Sequence, residues 1–179
     1  MNLFGQLCIV LLPIVSIFLT GLKYPVQKQI VKPVFQPPDY VFSIVWTYIT
    51  LMLGIITNMC FTMSSKFHRI VIMIFYITLL ILLNGWLVLN YYEKYALSFY
   101  TLLVSCYISI TYICYLFYIS NRIKYSHQQS INQSHYYQTS SNKESNPISC
   151  FVFLLLPMSF WLCIASCLNG VIYQYSTNN

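Results

Sequence analysis

Residues 70–90 read IVIMIFYITLLILLNGWLVLN, a stretch that contains no ionised side chain. A helix of about 20 such residues spans the hydrocarbon core of a bilayer, which is roughly 30 Å thick. Polar and apolar residues do not alternate here with a period of two, as they would in a half-buried strand. A lipid-exposed open strand would also leave its backbone groups without hydrogen-bond partners. The stretch therefore predicts a transmembrane helix.

Four more stretches of the same kind lie on either side of this one, and none has an ionised residue in its interior. The first lacks the basic start and the small-residue cleavage site of a signal peptide, so we interpret it as a span. We predict an all-α integral membrane protein, a bundle of five transmembrane helices forming a single domain over residues 1–179. The predicted spans are about 3–22, 40–62, 70–90, 96–119 and 150–173.

Composition supports the membrane class. Apolar residues make up 58% of the chain and charged residues only 7%, whereas soluble domains carry about 25% charge. This excludes an ordinary cytosolic enzyme, and the high hydrophobicity excludes a disordered chain. The net charge of +6 comes from scattered basic residues rather than a basic stripe. It favours anionic lipid or an anionic amphiphile as a partner over nucleic acid.

Metal-ligand patterns are missing from the sequence. No CxxC pair and no Cys/His spacing typical of zinc occurs, and the seven cysteines all lie in apolar runs. His68, His127 and His135 fall outside the predicted spans. We therefore predict no metal site, and a bound tetrapyrrole would be held by stacking rather than by an axial histidine.

Two connections between the spans are long. Residues 23–39 carry three lysines and end in Pro37-Pro38-Asp39. Residues 120–149 are rich in Ser, Asn, Gln and Tyr, and a segment of this composition cannot bury a core. We predict that this second connection is a disordered polar loop.

Aromatic and amide groups collect towards one end of the predicted bundle. Because successive spans alternate in direction, Trp46, Trp86 and Asn169 all fall in the half covered by the lysine-containing loop, while Trp161 lies near mid-membrane. In one interpretation the tryptophans form an interfacial belt and the asparagines join helices. In the other they line a pocket for a flat hydrophobic ligand. Periodicity alone leaves both open.

Two separated motifs resemble the signature of the TspO/MBR family. The first is KPVFQPPDYVF at 32–42, with VWT at 45–47 and MLG at 52–54. The second is LPMSFW at 156–161, followed by Ala165, LN at 168–169 and IY at 172–173. The resemblance implies a five-helix bundle, often a homodimer, that binds porphyrins, benzodiazepine-type compounds and, in some members, sterols.

The resemblance also implies where such a ligand binds: in a pocket among helices two to five, capped by the first loop. Family members occur in the mitochondrial outer membrane of animals, in bacterial envelopes and in plant secretory membranes. The resemblance therefore leaves the compartment of this multi-pass membrane protein open. The resemblance implies that no cofactor is required and that a porphyrin can bind as a ligand. The positions that match the family residue by residue are Trp46, Trp86, Trp161, Ala165, Leu168 and Asn169. We predict these as ligand-binding residues together with Tyr40 and Phe42 of the first motif, and we predict Lys28, Lys32, Pro37 and Pro38 as the loop residues that cap the pocket.

The resemblance is incomplete, and three functional hypotheses remain. Phe35 and Tyr40 occupy positions where the family has tryptophan; some members promote light-dependent porphyrin breakdown that is attributed to such tryptophans. The leading hypothesis is a non-enzymatic receptor or carrier for porphyrins or sterols. The alternatives are an interaction protein whose partner binds the 120–149 loop, and a light-dependent porphyrin-degrading enzyme.

Overall fold

The computed structural model describes residues 3–25, 37–134 and 152–178. These residues form five α-helices and one 3-10 turn, with no strand in the described ranges. The helices are α1 (Leu3–Lys23), α2 (Asp39–Met63), α3 (Lys66–Tyr91), α4 (Tyr95–Ser134) and α5 (Leu156–Asn178), with the 3-10 turn Phe153–Leu155 directly before α5.

All five helices are long and apolar enough to cross a membrane. The prediction of a five-helix membrane bundle is confirmed. The apolar segments agree with the predicted spans to within a few residues in the described ranges: Leu3–Lys23, Tyr40–Met63, Lys66–Tyr91, Tyr95–Arg122 and Phe153–Tyr175.

The helices pack in a closed ring of neighbours. Helix α4 packs most extensively on α5 and on α3, and α1 packs on α2 and α3. Helix α2 completes the ring by approaching α5 and the 3-10 turn before it. On α3, Ile72, Tyr76 and Leu79 are buried, whereas Ile70 and Ile74 are exposed. The outward isoleucines would face lipid, so both the inner and the outer surface of the bundle are apolar.

Helix α4 is longer than the sequence predicted. It is 40 residues long and reaches Ser134, so residues 120–134 are helical rather than part of a disordered loop. No glycine or proline occurs between Ile119 and Pro147, and extending an existing helix costs little compared with starting one. The rest of the predicted loop, residues 135–149, lies outside the described residues.

A proline in α1 is matched by a tyrosine in α3. Pro13 lies inside α1 and has no N–H to donate to the carbonyl of Ile9, four residues earlier. The hydroxyl of Tyr76 donates a hydrogen bond to that carbonyl oxygen at 2.6 Å. Ile9, Pro13 and Tyr76 are all buried. The tyrosine thus satisfies an acceptor that neither the helix nor lipid could satisfy.

Pro157 lies inside the fifth predicted span, about two turns from its start, where a proline would kink a continuous helix. Instead of a kink inside a helix, the chain forms the 3-10 turn Phe153–Leu155 and then continues as α5. The N–H of Leu156 donates to the carbonyl of Phe153, which is the group that Pro157 leaves without its usual donor. Pro157 therefore stands in the first turn of α5, where proline is well tolerated.

Gly54 allows α1 and α2 to approach each other closely. A Cβ atom at this position would overlap the carbonyl oxygen of Val10 and lie 2.9 Å from the Val10 Cα. Gly85 on α3, by contrast, has nothing within 4 Å of the place where its Cβ would be. Small residues at contact points are typical of helix pairs in membranes, where close packing replaces the hydrophobic effect.

We expect Gly54→Ala to lower the free energy of unfolding by about 1–3 kcal/mol, because the added methyl group must push two helix backbones apart. Gly85→Ala is the matched control and should be neutral or slightly stabilising, since alanine favours helix. Thermal unfolding in detergent, followed by circular dichroism, measures both variants. Equal stability of the two variants would contradict the close contact between α1 and α2.

We expect Tyr76→Phe to cost about 1–3 kcal/mol, because it leaves the Ile9 carbonyl buried without a donor. In a Pro13→Ala background the restored N–H of residue 13 can donate to Ile9, so the same Tyr76→Phe change should cost much less. A double-mutant cycle of thermal stabilities tests this coupling. An equal cost in both backgrounds would show that the hydroxyl of Tyr76 does not compensate for the donor that is missing at Pro13.

Candidate functional site

One face of α5 brings three predicted residues together. Trp161, Ala165 and Asn169 follow one another at intervals of four and are all buried. Residues spaced by four lie on the same side of a helix, one turn apart. Leu168, beside them, is also buried. The four predicted positions on α5 therefore all point into the bundle.

The side-chain amide of Asn169 connects three helices. Its Oδ1 atom accepts hydrogen bonds from Ser98 Oγ on α4 at 3.0 Å and, more weakly, from Trp86 Nε1 on α3 at 3.4 Å. Its Nδ2 atom donates to the carbonyl of Ala165 at 2.9 Å. Both lone pairs of Oδ1 are thus in use. Asn169 fixes the orientation of the Trp86 indole, and its carbonyl has no lone pair left for another donor.

Helix α2 adds a second indole to this group. The rings of Trp46 and Trp86 are stacked, with centroids 5.4 Å apart and planes inclined by 21°. Trp86 is buried and Trp46 is half-buried. Stacked or offset aromatic pairs contribute about 0.5–1.5 kcal/mol beyond their buried area. The pair links α2 to α3, and through Trp86 it reaches the amide of Asn169.

One turn earlier on α2, a second aromatic pair reaches α5. Phe42 meets Trp161 edge to face, with ring centroids 5.1 Å apart and planes at 69°. Phe42 and Trp46 are four residues apart and so lie on one side of α2. Each of them contacts a tryptophan of a different helix. We call Phe42, Trp46, Trp86 and Trp161 the aromatic cluster.

The indole nitrogen of Trp161 has no hydrogen-bond partner. Its Nε1 atom is buried, and within residues 3–25, 37–134 and 152–178 no acceptor lies within reach. A buried indole N–H nearly always finds an acceptor, because leaving it unpaired costs free energy. By contrast, the Trp86 N–H has Asn169 as its acceptor. Trp161 therefore presents an unused donor next to the ring of Phe42.

The remaining predicted residues are not brought to this cluster by the described contacts. Tyr40 is 66% exposed and lies on the opposite side of α2 from Phe42. Pro37 is half-buried, and exposed Pro38 stands immediately before α2 as its N-cap residue. Lys28 and Lys32 lie outside the described residues.

Asn84 on α3, an intramembrane asparagine in the same half of the bundle as Asn169, joins helices instead. It accepts from Thr20 Oγ1 at 2.6 Å and donates to Ser16 Oγ at 3.3 Å, both on α1. For this residue the interpretation as a link between helices is correct. Ser98, whose hydroxyl holds Asn169, was not among the residues predicted from the sequence. A lone serine in an apolar span gives no signal of its own, because most such hydroxyls bond to their own helix.

The candidate site consists of the aromatic cluster together with Ala165, Leu168 and Asn169 of α5. It offers π faces and one unused N–H donor. None of these side chains is a carboxylate, imidazole, thiol or amine. Among the residues that the structure describes, no group of three or more His, Cys, Asp or Glu is placed to hold a metal ion.

The chain was compared with models of known protein families. A model described as TspO/MBR family matches residues 8–174, nearly the whole chain. The match confirms the resemblance inferred from the two motifs. No curated protein was found to match the chain.

We expect Asn169→Leu to lower stability by about 1–3 kcal/mol, because the hydroxyl of Ser98 and the N–H of Trp86 both lose their acceptor. Asn58→Leu is the control: the buried Oδ1 of Asn58 has no partner in the described ranges, so its removal should be neutral or stabilising. Thermal unfolding in detergent compares them. A cost for Asn58→Leu equal to that for Asn169→Leu would contradict the joining role of Asn169.

Proposed function

Since the chain belongs to the TspO/MBR family, we propose that this multi-pass membrane protein is a non-enzymatic receptor or carrier for a flat hydrophobic ligand such as a porphyrin. The ligand binds within the bundle at the aromatic cluster, between α2 and α5. The unpartnered N–H of Trp161, buried beside aromatic faces, is the observation that carries this proposal.

The aromatic cluster suits a planar ligand. A flat ring can stack on an indole face, and stacking of a nucleobase on an aromatic side chain, a comparable contact, contributes about 1–3 kcal/mol. Trp46 and Trp86 are already stacked on each other, whereas Phe42 and Trp161 meet edge to face and are not stacked. We therefore assign the ligand ring to the side of Trp161. Rotation of the Phe42 side chain would expose the indole face.

The donor of Trp161 indicates the kind of atom that binds there. An indole N–H donates and cannot accept, so the ligand must offer an acceptor. No cation belongs to the aromatic cluster, and a carboxylate buried without one would be costly. The acceptor is therefore a neutral group, such as a carbonyl, an ester oxygen or an unprotonated pyrrole nitrogen. Any carboxylates of the ligand would extend towards the loop that contains Lys28 and Lys32.

Asn169 and Ser98 act on the ligand indirectly in this proposal. Their hydrogen bonds hold the Trp86 ring, and the stack with Trp86 holds Trp46 on α2. The spacing between α2 and α5 at the site is thereby set by groups that do not touch the ligand. A site with fixed walls binds a rigid ligand at a lower entropic cost than a site that must first be ordered.

We expect Trp161→Phe to weaken protoporphyrin binding about fivefold, the effect of losing one hydrogen bond worth about 1 kcal/mol, because the ring remains but the donor is gone. The measurement is an absorbance titration of the full chain in lipid nanodiscs, performed in the dark. Phe160→Ala is the matched control, because Phe160 is the neighbouring residue and is 70% exposed. It should leave the affinity unchanged.

Three outcomes would count against the proposal. Absence of saturable binding to the unmodified protein would rule out porphyrin as the ligand class, and the interaction-protein hypothesis would then lead. Saturable binding that is unaffected by Trp161→Phe would place the ligand away from this donor. New absorbing products on illumination of the complex would indicate porphyrin breakdown rather than simple binding.

A further inference from the structure

Two cysteines that the proposed ligand site does not use lie against each other. The sulfur atoms of Cys106 on α4 and Cys163 on α5 are 3.2 Å apart, and both are free thiols. A disulfide bond has a sulfur–sulfur distance of about 2.05 Å. Closing the remaining gap of about 1 Å requires only small side-chain movements, so these two thiols are positioned for a disulfide bond.

The contact between α4 and α5 keeps this pair in register. One turn away, the hydroxyls of Ser109 and Ser159 are hydrogen-bonded at 2.9 Å. Nearer the other end of the same contact, Ser98 bonds to Asn169. Small side chains along a helix pair allow the backbones to approach closely, which a disulfide requires. Polar bonds on both sides of Cys106 and Cys163 oppose sliding of one helix along the other.

Cys163 is also open to the bilayer. It is exposed, as are Leu156, Phe160 and Cys167 on the same side of α5, whereas Cys106 is half-buried. An oxidant dissolved among lipid chains would therefore reach the sulfur of Cys163 first. We propose that Cys106 and Cys163 form a reversible disulfide when an organic hydroperoxide oxidises the protein within the membrane.

The reaction has two steps. The sulfur of Cys163 attacks the hydroperoxide, so that a sulfur–oxygen bond forms, the oxygen–oxygen bond breaks, and an alcohol leaves. The sulfur of Cys106 then attacks the resulting sulfenic acid, so that the disulfide forms, the sulfur–oxygen bond breaks, and water leaves. The two thiols lose two electrons and two protons in all, and the hydroperoxide is reduced to the alcohol and water. A dithiol reductant reverses the oxidation.

The crosslink would fix α4 to α5 between two residues of the candidate site. Cys163 lies two positions after Trp161 and two before Ala165, so the disulfide would hold the α5 wall at a set distance from α4. Any effect on ligand affinity rests on the proposed function, whereas the crosslink itself does not. The test therefore detects the bond directly and needs no ligand.

The experiment treats the full chain in lipid nanodiscs with cumene hydroperoxide, blocks the remaining thiols with an alkylating reagent, and maps the disulfides by non-reducing proteolysis and mass spectrometry. We expect a peptide pair joining residues 106 and 163, its loss after dithiothreitol, and a higher melting temperature of the oxidised protein. Cys106→Ser should abolish the crosslink. Cys167→Ser, one turn from Cys163 and equally exposed, should leave it intact.

Three results would overturn the proposal. One is complete alkylation of both Cys106 and Cys163 after oxidation of the folded protein. Another is a disulfide that maps to other cysteines in place of this pair. The third is a 106–163 crosslink that forms only after thermal unfolding. Because the unmodified chain alone gives these results, the test remains decisive even if a serine variant fails to fold.

Discussion

The structure depends on one constraint: in the hydrocarbon core, a buried polar group can be satisfied only by the protein itself. Its clearest example is the carbonyl of Ile9, which loses its helical donor at Pro13 and gains the hydroxyl of Tyr76 instead. Asn84 and Asn169 follow the same rule on a larger scale, since each uses its amide to reach neighbouring helices. Lipid exerts no hydrophobic force between helices, so these bonds fix which helices meet and in what register.

Against this background, the N–H of Trp161 stands out. The Trp86 indole at the other end of the aromatic cluster is bonded to Asn169, whereas Trp161 has the same group, equally buried, without a partner in the described part of the chain. The two tryptophans therefore have different roles in our proposal. Trp86 belongs to the framework that spaces α2 from α5, and Trp161 provides the binding contact. The residue type alone could not distinguish the two tryptophans, whereas their hydrogen bonds do.

The sequence was sufficient for the class of fold but not for the direction in which side chains face. Length and apolarity predict the five spans, because a bilayer imposes both. They do not show that Ile70 faces outward and Ile72 inward, since the outer and inner surfaces of a membrane bundle are equally apolar. For the same reason the first motif could not show that Tyr40 points away from Phe42.

The end of α4 was not predicted, because a polar composition indicates that a segment contacts water but not whether it is helical. Residues 120–134 are both polar and helical. Ser98 was missed because its partner is 71 positions away in sequence.

Helix α1 has a consequence for how this chain can change over evolutionary time. Ile9 and Pro13 are its only buried residues, and Ser16 and Thr20 are hydrogen-bonded to Asn84 on α3. The exposed positions of α1, among them Leu7, Leu11 and Phe18, present interchangeable apolar side chains to lipid. These positions are free to drift in sequence while their composition stays constant, whereas Val10 against Gly54 and Ile17 against the core are constrained by packing. Pro13 and Tyr76 are different: Pro13 makes the hydroxyl of Tyr76 necessary, so the tyrosine should be lost only where the proline has already been replaced.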